Sequence, residues 1–99
     1  MKKSNRKVVC ADGFSMSVQA STSNYCEPQN DQGPYTEAEV GFPSREEPLL
    51  AQWAEDPATP TETVYGWVPR HTILTVIAKH GGMVEGELPN GISNLWVSS

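Results

Sequence analysis

No apolar run in the sequence approaches the roughly 18 residues of a membrane span. The opening Met1-Lys2-Lys3-Ser4-Asn5-Arg6-Lys7 leads into only two valines, not the apolar core of a signal peptide. These absences predict a cytosolic protein without a membrane segment. Basic side chains are also scarce, with seven Lys and Arg against twelve Asp and Glu and a formal charge of −5. That balance argues against direct DNA or RNA binding, which relies on a basic surface. It leaves room for a basic protein partner, or for a small anion held in a local pocket. Cysteine is limited to Cys10 and Cys26, which form no paired motif and, without secretory signs, are expected to be reduced. His71 and His80 are not at a helical ligand spacing, so neither zinc nor any other metal or cofactor is expected. There is no GxGxxG and no phosphate loop. A Cys/His nucleophile pair lacks any feature that positions a base beside a thiol, and buried structural cysteine is the commoner role.

What is present is globular. With 99 residues, 37% hydrophobic and 19% charged, the chain suffices for one domain with one core, small enough that a homo-oligomer is expected to add stability. Residues 1–7 hold four of the seven basic side chains and are expected to form a flexible arm ahead of a domain over 8–99. The centre of the pattern is Gly13 to Ser21. Phe14, Met16, Val18 and Ala20 alternate there with Ser15, Ser17, Gln19 and Ser21, the period of a half-buried strand. Its outer side carries three hydroxyls and an amide but no charge, unlike a surface that only keeps a protein soluble.

Val8 to Ala11 reads as a strand joined to this one through Asp12-Gly13, and Thr22 to Pro34 as a long loop with the length to close over a ligand. Alternation resumes from Tyr35 to Phe42, with Glu37 and Glu39 on a solvated side. Ser44 and Glu47 have capping-box spacing, and Leu49, Leu50, Trp53 and Ala54 recur as in a helix of about ten residues ending at Asp56-Pro57. Thr61 to Val68 is a strand with Thr61, Thr63, Tyr65 and Trp67 on one face. A helix follows from Pro69, buries Ile73, Val76, Ile77 and His80, and stops at Gly81-Gly82. Met83 to Leu88 reads as a last strand, with Leu95-Trp96-Val97 docking behind it. The sum is an α+β fold, a small antiparallel or mixed sheet with two short helices packed on one face.

The opposite face would then combine Ser15, Ser17 and Gln19 with residues of the Tyr35 and Tyr65 strands, a surface suited to stacking on a flat polar ligand. The candidate ligand-binding residues are Ser15, Ser17, Gln19, Tyr25, Tyr35, Tyr65, Trp67 and Arg70. Sheet packing is the ordinary role of the aromatic four. Arg70 is the cation placed where a helix N-terminus helps hold an anion, a plain surface arginine being the ordinary alternative.

Several segments also resemble a group of small proteins encoded by tailed bacteriophages and prophages. They are Ala11-Asp12-Gly13-Phe14-Ser15-Met16-Ser17-Val18-Gln19-Ala20-Ser21, Gly33-Pro34-Tyr35, Glu39-Val40-Gly41-Phe42-Pro43-Ser44, Ala54-Glu55-Asp56, Thr63-Val64-Tyr65-Gly66-Trp67-Val68-Pro69 and His80-Gly81-Gly82. The resemblance brings no catalytic residues with it. It implies a setting, the host bacterial cytoplasm, where such proteins often counter a defence system by binding. Three functions are then expected in order. The first is sequestration of a small anionic nucleotide-derived immune signal, the second inhibition of a host defence protein as an anti-CRISPR does, and the third degradation of a nucleotide signal.

Overall fold

A computed structural model of the chain describes residues 4–92. The Val8–Cys10 strand (β1) turns at Asp12-Gly13 into the Ser15–Gln19 strand (β2), with Val8 opposite Met16 and Val9 opposite Ser15. The Glu37–Gly41 strand (β3) lies on the far side of β2, in unbroken register from Ser17 and Gly41 to Gln19 and Glu39. Val64–Pro69 (β4) pairs with β3, and the Arg70–Lys79 helix (α1) carries the chain back to Met83–Glu85 (β5), which pairs with β1. The sheet is antiparallel throughout in the order β4-β3-β2-β1-β5, so α1 links its two edge strands.

The β2 alternation does what its period requires. Phe14, Met16, Val18 and Ala20 are buried, and Ser15, Ser17 and Gln19 are turned away from the core. Ile73, Leu74, Val76 and Ile77 of α1 are buried with them, as is Leu50. Large side chains buried this fully contribute about 1.5–3 kcal/mol each. Gly81 and Gly82, at φ of +94° and +95°, end α1 in the left-handed conformation the glycine pair permits. Pro69 stands one position earlier than expected, outside the first helical turn, and Arg70 opens the helix.

Three expectations are corrected. The ten-residue helix is a six-residue 3-10 helix, Pro48–Trp53. Ser44 does not box with Glu47, because its hydroxyl and backbone amide are both used on Ser15. Glu47 is itself the cap and accepts from the Leu49 amide, while Pro48 occupies the first helical position, where its missing N–H costs nothing. With three residues per turn, Leu50 and Trp53 share a stripe and Leu49 is left 41% exposed.

Residues 4–7, within the expected arm, include two that bond to the domain. Asn5 exchanges backbone hydrogen bonds with the Gln19 side chain and donates its own side-chain amide to the Val18 carbonyl, and Arg6 pairs with Glu87. The 22–34 loop is knitted to the sheet through Glu27, bridged to Glu37, and is closed on itself by Thr22, whose amide and hydroxyl donate to the Asp31 carboxylate. Finally, β4 does not alternate evenly. Ala38 and Val40, two apart, pair with Val68 and Tyr65, three apart. The extra residue is a bulge that brings both Tyr65 and Val68 into the core and turns Trp67 out. The expected docking of Leu95-Trp96-Val97 lies outside the described residues.

Candidate functional site

The outer edge of β4 is covered by two segments that meet it on either side of Gly66. On one side the Glu55 amide donates to the Val64 carbonyl, next to a bridge between Ala54 and Tyr65. On the other the Trp67 amide donates to the Tyr25 carbonyl at 2.9 Å. Between them opens a groove of about 440 Å³, lined by Tyr25, Gln52, Trp53, Glu55, Gly66 and Trp67. Its volume falls within the range of ligand sites, although it is broad and open to solvent.

Each wall has a local cause. Trp67 sits at φ +54°, the left-handed region that a bulky side chain adopts only when its surroundings impose it, and its indole is 50% exposed. Tyr25 stacks on it with ring centroids 4.8 Å apart and 22° between the planes. Glu39 holds Tyr25 in place, its carboxylate accepting from the Tyr25 amide and from the Asn24 side chain. Gly66 lets the two come together, since a Cβ there would lie 3.1 Å from the Tyr25 Cβ. Trp53 closes the far wall from the end of the 3-10 helix, partly buried against the core.

The expected site is therefore divided. Tyr25 and Trp67 form the groove. Tyr35 and Tyr65 are corrected to core residues, at most 1% exposed, with hydroxyls donating to the carbonyls of Asn30 and Pro60. Burial, then the nearby Glu46 charge, raises the Tyr65 hydroxyl, which stays a donor. Ser15, Ser17 and Gln19 do face away from the core. The Gln19 amide is committed to the Asn5 carbonyl and the Ser17 hydroxyl at 2.9 Å each, however, so this face secures the N-terminal segment. Arg70 places its guanidinium on the Gly91 carbonyl at 3.3 Å. Glu39 is structural where a solvated edge was expected. Sequence reasoning passed over Gln52, Trp53 and Glu55, because helical spacing assigned Trp53 wholly to the core.

A second cluster joins three elements beneath the β1–β2 turn. His80 lies between two carboxylates, Nδ1 to Asp12 at 2.7 Å and Nε2 to Glu47 at 2.7 Å, and its ring stacks on Phe14 at 4.0 Å. Lys79 pairs with Glu47 at 2.8 Å and Arg45 with Asp12 at 3.1 Å. Burial pushes the Glu47 carboxyl up, but the Lys79, Leu49 and His80 hydrogen bonds together hold it below the usual range. The Phe14 amide, then the His80 ring, lowers Asp12. Every one of these groups is satisfied by another, so the cluster reads as a structural pin.

Among the described residues no group of three or more His, Cys, Asp or Glu side chains is arranged to hold a metal ion, and no helix is long and apolar enough to cross a membrane. The chain matches no protein-family model, and comparison with curated proteins and with solved structures returns no match.

Proposed function

We propose that this chain is a non-catalytic binding protein that acts by occupying the surface of a protein target, with the Tyr25–Trp67 groove as its contact. The observation that carries the reading is a tryptophan held half exposed in a strained backbone conformation and stacked on Tyr25, which Glu39 in turn holds in place. Strain of this kind costs on the order of 1–3 kcal/mol and persists where the surroundings over-determine it, as they do at binding sites. Exposed aromatic anchors of this type dominate the energetics of protein interfaces.

Charge favours a protein over a nucleotide-derived signal. Among the described residues no cation lines the groove, so no positive charge there offsets a phosphate. Arg70 donates to Gly91, while Arg45 and Lys79 are paired with Asp12 and Glu47. A nucleophile is poorly served as well: both cysteines are buried, and burial followed by the Asp12 charge raises the Cys10 thiol, the opposite of activation. The resemblance to phage and prophage proteins makes a host defence protein in the bacterial cytoplasm the proposed class of target.

The test is capture of a target from bacterial lysate, followed by affinity measurement with the purified partner. Trp67→Ala is expected to weaken the complex at least about 30-fold, the effect of losing a hot-spot aromatic of about 2 kcal/mol. Unchanged affinity in that variant would sink the reading. So would native mass spectrometry showing a nucleotide retained from a panel of cyclic nucleotides and ADP-ribose derivatives, with no protein partner.

A further inference from the structure

We infer that the groove receives a guanidinium, an arginine side chain presented by the protein target; this rests on the docking reading above. Three aromatic rings line the groove, two of them tryptophans, the strongest cation–π acceptors among side chains. The charged side chain in the same lining is an acid, Glu55, and the neutral polar one is Gln52. Among the described residues no cation pairs with Glu55. The ion pairs of Arg6, Arg45 and Lys79 are all made elsewhere, to Glu87, Asp12 and Glu47. The groove thus offers ring faces and an unneutralised carboxylate together, and its natural complement is a flat cation.

The choice among cations follows from shape. One face of the Trp67 indole is taken by Tyr25, so a ligand meets what is left exposed, a planar surface over an open trough. A guanidinium is planar, stacks on aromatic faces, and presents paired N–H donors that match a carboxylate; an ammonium does neither as well and loses more hydration on entry. A phosphate or carboxylate would meet the Glu55 charge with no cation among the described lining residues to offset it. An aliphatic side chain would gain the ring contacts but leave that carboxylate unanswered. The overall charge of −5 points the same way, drawing a basic protein surface toward the molecule.

The test uses the full chain and three probes of one scaffold, the N-acetyl amides of arginine, lysine and citrulline. Citrulline keeps the planar end group of arginine but not its charge. Binding is read from the indole N–H resonances of Trp53 and Trp67, assigned with Trp53→Phe and Trp67→Phe. The arginine probe is expected to shift both signals, citrulline to bind roughly tenfold or more weakly, and lysine to fall between. Glu55→Gln is expected to remove most of the preference for arginine over citrulline while leaving the resonances of the fold in place. Equal binding of arginine and citrulline, or an unchanged preference in Glu55→Gln, overturns the inference. If Trp67→Ala still abolishes capture of a target in that event, the docking reading stands and only the guanidinium falls. If Trp67→Ala also leaves capture intact, both fall.

Discussion

Trp67 separates binding from stability at a single residue. Its left-handed backbone costs on the order of 1–2 kcal/mol relative to glycine, and the stack with Tyr25 returns about 0.5–1.5 kcal/mol beyond area burial. Those terms nearly cancel and leave the burial of the covered half of the side chain, so Trp67→Gly is expected to lower the free energy of unfolding by about 1–2 kcal/mol. It should abolish the groove's binding all the same. Urea denaturation beside the affinity measurement checks both halves, and a large loss of stability would mean that the indole is there for the fold. The same residue shows what the sequence concealed. Tyr25 and Trp67 were legible as candidates because aromatic rings suit stacking on a flat ligand. Their union, and the exclusion of Tyr35 and Tyr65, depended on a one-residue bulge that shifts the phase of β4 after Tyr65. A strict period of two cannot contain such a shift.

At the level of elements, the Asp12, Glu47 and His80 cluster ties the β1–β2 turn, the cap of the 3-10 helix and the end of α1 together. Glu47 is 2% exposed and serves the Leu49 amide, Lys79 and His80 at once. Glu47→Ala strands all three partners and is expected to cost about 3 kcal/mol or more. Glu47→Gln, which keeps an acceptor in place, should cost less. The acid limb carries a further signature. Both carboxyls are lowered in the folded chain, so their contribution is fully present above the ordinary carboxylate range of about pH 4. It is lost as pH falls through the lower folded values, because protonation there removes the charge that the fold favours. Urea midpoints taken from pH 7 down to pH 3 should fall more steeply for the wild type than for Glu47→Gln; parallel curves would show that the cluster is not coupled to folding. The elements themselves were largely legible. The order of strands and helices, the buried stripe of β2 and the glycine stop of α1 follow from local periodicity and turn chemistry. The 3-10 helix was less so, since Ser44 and Glu47 match a capping box in spacing while Ser44 is drawn off by Ser15, a contact between distant segments.

For the whole molecule, net charge decides how a partner would be found. A surface carrying −5 attracts a basic target over distances up to the Debye length, about 10 Å at 0.1 M salt and about 3 Å at 1 M. Added salt should therefore slow association with the target while leaving dissociation nearly unchanged, since stacking on Trp67 is short-ranged and screened little. Stability should respond far less. Most of the fold's apolar contacts are indifferent to ionic strength, and the Glu47 carboxylate is shielded from solvent. Stopped-flow association rates between 0.05 and 0.5 M sodium chloride, with urea midpoints at the same two concentrations, would test this at roughly one and a half and half the Debye length of 0.1 M salt. A rate that falls several-fold with an unmoved midpoint fits an acidic protein docking on a basic one through an aromatic anchor. A salt-independent rate would mean that the charge of the chain serves its solubility alone, and that the groove finds its target by shape.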